Sequence, residues 1–298
     1  MIRIGTLFSG IGAPEVALQQ LGISHRIEFA CDNDPHVKGT YLTNHNCKIF
    51  YDDLCKINSL PKVDVLIFGF PCQPFSLAGK RQGIKDVRGK LLLKALDLIE
   101  GSKPNNIIAE NVEGLIYQDN GEVLAYIVDR LRRMGYYVQY SLLNALDFGL
   151  PQNRKRLWIV ATKSPRFTFP EPERFHFPLS YFLDRNVKDK TYATDDFLSK
   201  CKVKHRIENY NKDYINCITH TIARNGSSSE YISYIASVYR AIGEKRKPTI
   251  TECLRLFGFP SSFVFPETVC TTRRYEMLGN SMAVPVLRAI ITNVLRII

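Results

Sequence analysis

The chain opens with a pattern that leaves few choices of fold. Ile2 to Leu7 is a short apolar strand, and it runs straight into Phe8-Ser9-Gly10-Ile11-Gly12-Ala13. From Pro14 to Leu21 the apolar spacing changes to that of an amphipathic helix, with a proline where a helix start tolerates one. Strand, Gly-x-Gly loop and helix together are the first half of a Rossmann-like βαβ unit, in which glycine lets backbone come close to a nucleoside-bearing ligand. The complete dinucleotide fingerprint is absent, because Glu15 stands where a third glycine belongs. An NAD-dependent oxidoreductase is therefore a poor reading.

The alternation continues. Arg26 to Cys31 is a second strand ending in Asp32, where an acid can accept hydrogen bonds from both ribose hydroxyls. Asp34-Pro35 starts the next helix. A short apolar run from Cys47 to Phe50 precedes Asp52-Asp53-Leu54. A carboxylate there is able to take the exocyclic amine of an adenine, or simply to sit in a solvated loop. Val63 to Phe68 reads as a buried strand. It delivers the chain to Gly69-Phe70-Pro71-Cys72-Gln73-Pro74-Phe75-Ser76, so one cysteine lies at a strand's C-terminal edge, where open α/β sheets place ligands. The loop beyond carries Gly79, Gly83 and Gly89 among Lys80, Arg81, Lys85, Arg88 and Lys90, the composition of a basic lid.

Leu91 to Ile99 is helical. The strand Asn106 to Ala109 ends in Glu110-Asn111-Val112, which puts a carboxyl across neighbouring strands from Cys72. Gly121 to Met134 has helical spacing, and Tyr136 to Leu143 and Leu157 to Thr162 complete the sheet. Between those two strands lies Gln152-Asn153-Arg154-Lys155-Arg156. If this segment is extended, Arg154 and Arg156 share one face and point at the site of Glu110. From Lys163 to Pro248 strand–helix alternation gives way to dispersed prolines and charges and to the polar loop Arg224 to Ser229. Order returns with Thr249 to Pro260, where Thr249 or Thr251 caps a short helix that Gly258 ends. Gly279-Asn280-Ser281 and an apolar helix from Val286 to Ile298 follow.

Composition bears on partners and compartment. A net charge of +11 and a pI near 9.2 favour a polyanion as partner. Eight scattered cysteines with no Cys-x-x-Cys pair argue against zinc and fit reduced thiols in a cytoplasm. No apolar run reaches the ~18 residues of a spanning helix. The N-terminus enters a strand at once, without a basic region and apolar core, which argues against a signal peptide.

Taken in order, these blocks resemble the cytosine-C5 DNA methyltransferases over nearly the whole chain. They are Phe8 to Gly12, Asp32, Asp53-Leu54, Pro71-Cys72-Gln73, Asp86 to Leu91, Glu110-Asn111-Val112, Gln152 to Arg156, Glu252 to Pro260 and Gly279-Asn280-Ser281. Two positions depart from the family: its usual glutamate is Asp32 here, and an aromatic that follows it is Asn33. The resemblance implies a Rossmann-like methyltransferase sheet with helices on both faces, over residues 1–165 and 272–298. It implies a smaller, irregular target recognition domain over 166–271, its variable part about 166–248. It also implies S-adenosylmethionine as cofactor, held by Phe8, Gly10, Ile11, Gly12, Asp32, Asn33, Asp53, Leu54, Pro71, Leu91, Asn280 and Ser281.

In such enzymes the thiol matching Cys72 adds to C6 of a cytosine flipped out of duplex DNA. Glu110 assists at N3, Arg156 and Arg154 hold O2, and the Phe70 carbonyl accepts from the exocyclic amine. Ser76, Lys80, Arg81, Arg88, Thr221 and Arg224 are then candidates to contact DNA, while Asn111, Glu252 and Arg255 look structural. The small size suggests a restriction–modification system with a cognate endonuclease, acting in the cytoplasm without a membrane. An RNA-acting branch of the fold carries a Cys-Phe-Thr signature, which is missing here. A silent DNA-binding relative would lack the thiol or the acid, and both are present.

Overall fold

The computed structural model describes residues 1–71, 87–172, 177–187, 213–223 and 229–297. Cys72, Ser76, Lys80, Arg81 and Arg224 lie outside the described residues, as does most of the basic loop. Two units emerge: Met1–Leu143, Lys155–Pro170 and Leu287–Ile298 form the first, and Asn144–Arg154 and Glu171–Val286 the second.

The first unit is built on a mostly parallel sheet. Its elements are β1 (Ile2–Leu7), α1 (Ala13–Gln20), β2 (His25–Cys31), α2 (Pro35–Asn44), β3 (Phe50–Tyr51), β4 (Val65–Gly69), α3 (Val87–Ser102), β5 (Asn106–Val112), α4 (Glu122–Arg133) and β6 (Tyr137–Asn144). After a short β7 (Gln152–Asn153), β8 (Lys155–Thr162) completes the seven-stranded order β3-β2-β1-β4-β5-β8-β6. β1 pairs parallel with β2 and β4, β4 parallel with β5, and β8 antiparallel with β5.

Burial explains the assignment. Val65, Leu66, Ile67 and Phe68 are at most 2% exposed, as expected of a central strand covered on both faces, so they read as one apolar run rather than an alternation. The β3 pairing is two residues long, so most of the run from Cys47 is loop. β5 extends past Ala109 and takes Glu110 and Asn111 into the sheet. α4 buries Val123, Leu124, Ile127, Val128 and Leu131 on one face and gathers Arg130, Arg132 and Arg133 in its last turn, where the helix dipole favours cations.

Strand order positions the site. From β1 the chain moves outward through β2 and β3, then returns to lay β4 on the other side of β1. This reversal is a topological switch point, which leaves a crevice above the C-terminal ends of β1 and β4. The Gly-x-Gly loop leaves one of those ends and Pro71 leaves the other.

The second unit is less regular, yet it contains a helix that the sequence pattern did not disclose, α5 (Ser229–Ile242). Its other elements are β9 (Ile215–Asn216), paired parallel with β7, then α6 (Ile250–Phe257) and α7 (Thr271–Gly279). α6 begins with a capping box in which Thr249 and Glu252 each satisfy the other's backbone N–H, and Gly258 closes it. α8 (Val284–Leu295) returns the chain to the first unit.

The unit boundaries differ from the sequence partition in three places, the smallest being residues 166–170, which go with the first unit. Residues 144–154 go with the second unit, because β7 pairs with β9 and Gln152 Nε2 donates to Leu256 O at 2.8 Å. α7 stays there too: Gly279 lacks the Cβ that would lie 2.2 Å from the backbone of Thr219 and His220. The stretch Thr271–Leu295 has the length and apolar content of a membrane span, but 61% of its apolar 18-residue window is buried inside the protein, as befits core helices.

Candidate active site

Two sets of side chains gather at the strand ends of the first unit. The first surrounds the Gly-x-Gly loop. Phe8 and Gly10 both adopt positive φ, at 52° and 54°, so the chain turns sharply as β1 ends. Gly10 has open space where a Cβ would stand. Its N–H donates to Asp32 Oδ2 at 3.0 Å, and Asp34 N–H donates to Oδ1 at 3.1 Å. Asp32 thus ties the end of β2 to the loop after β1. Burial raises its pKa above the ordinary aspartate value, against the backbone hydrogen bonds from Asp34 and Gly10.

Gly12 adopts a φ of 85° and has no room for a Cβ. A Cβ there would lie 2.2 Å from Nε2 of His45, and that nitrogen donates to Ile11 O at 3.1 Å. The close approach seen here is to a histidine ring from the segment after α2. Ile11, at 1% exposure, and Leu54, at 4%, are packed in the core, so their side chains are withdrawn from any cofactor. Asp53 caps the short 3-10 turn Leu54–Lys56 by accepting from Cys55 N at 2.9 Å. Asn33 is exposed, and Phe8 and Leu91 are partly buried against the core. An open glycine, a carboxyl at a strand tip and a neighbouring ring fit a nucleoside-bearing group.

The second set is the end of β4, β5 and β8. Gly69 pairs with Glu110, Glu110 with Trp158 and Val112 with Arg156. In an antiparallel pair, directly opposed side chains share a face, so Glu110 and Arg156 project together. Arg156 Nε lies 3.2 Å from Glu110 Oε1, with side-chain exposures of 14% and 12%. Asn111, buried on the opposite face, donates from Nδ2 to Phe70 O at 3.0 Å. That bond holds the backbone two residues before Cys72. A described carboxyl and a guanidinium thus stand one strand from the point where the cysteine emerges.

Arg154 does not join them. β7 ends at Asn153 and β8 starts at Lys155, and between them Arg154 N donates to Gln152 O at 2.8 Å, so the segment turns instead of staying extended. Arg154 is 3% exposed. Nη1 donates to Ile218 O at 2.8 Å, Nη2 to Gly279 O at 3.2 Å and Ser281 O at 2.6 Å, and the guanidinium lies over the Phe257 ring. It is a brace of the second unit. Ser281, placed in the cofactor set with Asn280, is 6% exposed and holds Arg154 through its carbonyl.

The sequence reading missed Arg246. It is fully buried and makes hydrogen bonds to both oxygens of Glu252 at 2.6 and 2.7 Å, to Glu244 and to Asp184 O. Burial opposes its charge, but the bonds from Glu252 and Glu244 outweigh this and raise its pKa. Arg255 donates to Phe182 O and Asp184 Oδ1, which makes it another support. An arginine six residues ahead of a helix-capping glutamate was the available signal. Of the DNA candidates, Thr221 sits in a 3-10 turn with its hydroxyl 2.5 Å from that of Thr219, and Arg88 lies on α3.

Known proteins supply the family and the fold. The model of the C-5 cytosine-specific DNA methylases matches residues 2–296. Among curated relatives, the Type II methyltransferase M.Bsp6I of Bacillus sp. (strain RFL6) is 33% identical over 317 residues, covering 99% of this chain and 98% of its own. M.HaeII of Haemophilus aegyptius, also a Type II methyltransferase, is 35% identical over 294 residues, covering 95% and 90%. Among solved structures, Entamoeba histolytica methyltransferase EhMeth superposes with a TM-score of 0.80 at 20% identity, covering 99% of this chain and 98% of its own. S. pombe Dnmt2 gives 0.77 at 21%, covering 99% of both, and at such identities the likeness concerns the fold alone. The family match over residues 2–296 and the near-complete coverage of these relatives have one meaning: this chain belongs to the C-5 cytosine-specific DNA methylases, enzymes that methylate cytosine in DNA.

Proposed function

We propose that the chain methylates C5 of a cytosine swung out of duplex DNA, through a covalent bond between Cys72 and C6, with S-adenosylmethionine as donor. The observation that carries this reading is the Glu110–Arg156 pair, 3.2 Å apart beside the strand that leads to Cys72. C5 of cytosine is too weak a nucleophile to attack unaided. Addition of the Cys72 thiolate to C6 pushes electron density to C5, while a proton shared between Glu110 and N3 and the Arg156 guanidinium at O2 stabilise charge developing in the ring. Bound S-adenosylmethionine supplies the electrophilic methyl group. Loss of the C5 proton then returns the electron pair and expels the Cys72 thiolate, which restores the enzyme. Phe70 O, braced by Asn111, retains a second lone pair for the exocyclic amine and so selects cytosine over thymine.

For the cofactor we assign Phe8, Gly10 and Asp32 with Asn33, Asp53, Pro71 and Leu91 around them, and leave Ile11, Gly12 and Leu54 as the scaffold beneath. The second unit acts as the target recognition domain. Ser76, Lys80, Arg81, Arg88, Thr221 and Arg224 contact the DNA, whose charge suits a protein of net charge +11. Flipping a base costs a few kcal/mol, which contacts to phosphates from these basic residues offset. The Type II relatives support a role in cytoplasmic restriction–modification beside a cognate endonuclease.

Bisulfite sequencing of DNA from cells expressing the chain tests this directly. Methylated cytosine in one short recurring sequence is expected. Methyl groups on adenine N6 or cytosine N4 would refute the mechanism, and label transferred to tRNA but not duplex DNA would favour the RNA-acting branch.

A further inference from the structure

Glu15 broke the glycine fingerprint in the sequence, and nothing in the reaction uses it. It is nevertheless 1% exposed, an ionisable group in the core of the first βαβ unit. Oε1 accepts from Tyr41 Oη of α2 at 2.7 Å and from Thr6 Oγ1 of β1 at 3.2 Å. Thr6 Oγ1 lies 2.8 Å from Ser9 Oγ, which accepts from Cys31 N at 2.9 Å. Ser9 N in turn donates to Cys31 O at 2.9 Å. One turn beyond Tyr41, His45 packs its ring 5.1 Å from that of Tyr41 and reaches Ile11 O. A single carboxyl therefore connects β1, α1 and α2, and through Ser9 the end of β2, around both sides of the Phe8–Gly12 loop.

The other oxygen, Oε2, is buried with no hydrogen-bond partner among the described residues. A buried carboxyl with part of its acceptor capacity unmet is destabilising, and an apolar residue here would pack at less cost. Its place in the hydrogen-bond network beneath the Phe8–Gly12 loop points to a use other than stability. Phe8 and Gly10 hold positive φ and must be over-determined by their surroundings to stay there. Ser9, between them, is the residue that the network fastens.

We propose that Glu15 is a positioning residue for the cofactor: through Thr6 and Ser9 on one side and Tyr41 and His45 on the other, it holds the Phe8–Gly12 loop in its binding conformation. This rests on the reading of S-adenosylmethionine as the ligand of that loop. Glu15 itself need not touch the ligand.

The test measures S-adenosylmethionine binding by calorimetry, and steady-state kinetics on duplex DNA, for the full chain. Glu15→Leu removes both acceptors and is expected to weaken binding on the order of tenfold, with Tyr41→Phe weaker in the same direction. Glu15→Gln, which keeps an oxygen for Tyr41 and Thr6, should recover most of the affinity. KM for the cofactor should rise while kcat at saturating cofactor and KM for DNA stay within about twofold. A merely structural role would instead lower thermal stability and depress all three constants together, and that result overturns the proposal. So does unchanged affinity in Tyr41→Phe, a variant small enough to fold if Glu15→Leu does not. Failure of the wild-type chain to bind the cofactor would be a different result, against the cofactor reading itself.

Discussion

Two arginines separated by one residue have opposite fates. Arg156, in the first unit, lies against Glu110 with both side chains slightly open to solvent. Arg154, in the second, is enclosed and donates to three carbonyls. Arg246 repeats that pattern against Glu252. The contrast separates two uses of buried polarity. Where the Nη groups meet fixed acceptors in a buried setting, the guanidinium holds its surroundings in place. Where a charged pair sits at a strand tip with an accessible edge, a ligand can rearrange it.

Mutations can break this contrast or sharpen it. The largest effect belongs to Cys72→Ser, which should lower methyl transfer on the order of a thousandfold or more while DNA binding by gel shift persists. Glu110→Gln comes next, with kcat lowered about a hundred- to ten-thousandfold and little change in denaturation midpoint. Arg156→Met should behave similarly, at roughly a hundredfold. In the second unit the signature should invert. Arg246→Met breaks a buried pair and leaves Glu252 uncompensated, at a cost of about 3–5 kcal/mol in urea denaturation. Arg154→Met, which strips carbonyls of their donor, should cost about 1–3 kcal/mol, with the folded fraction still active. Comparable kcat losses for Arg154→Met and Arg156→Met in fully folded protein would erase the distinction.

A smaller effect comes from pH. Asp32 has a raised pKa in the folded chain, chiefly through burial, so its proton is bound more tightly than in an ordinary aspartate. Stability from this group is therefore greatest at low pH and falls as pH rises through the raised value. Cofactor binding should have the opposite sign, because a ribose hydroxyl needs the ionised acceptor. Affinity measured by calorimetry should decline on acidification, beginning at a higher pH than an unperturbed aspartate would give, and Asp32→Asn should flatten that decline. An unchanged profile in Asp32→Asn would remove Asp32 from the cofactor site.

Much of the first unit was readable because its strands are short apolar runs ended by Gly, Asp or Pro, and because parallel strands buried on both faces announce themselves in composition. The placement of Asp32, Glu110 and Arg156 could be read by asking what stands at the ends of those runs. Gly12 could not be understood that way: a glycine needed for a ligand and one needed for His45 look alike in a linear chain. Nor could the separation of Arg154 from Arg156, since period-two alternation assumes extended backbone and the turn at Asn153 interrupts it. The second unit was least readable. Its interior is organised by contacts distant in sequence, such as Gln152 with Leu256 and Arg246 with Asp184. α5 has an apolar face but lies in a stretch with few start and stop signals.

The central claim is a transient bond between the sulfur of residue 72 and a pyrimidine ring. Incubation of the chain with S-adenosylmethionine and a duplex carrying 5-fluorocytosine at the methylated position blocks the final loss of the C5 substituent. A stable protein–DNA adduct should then accumulate, and mass spectrometry should map it to the peptide containing Cys72. Absence of any adduct on a duplex that the enzyme methylates, or its persistence in Cys72→Ser, would contradict the account.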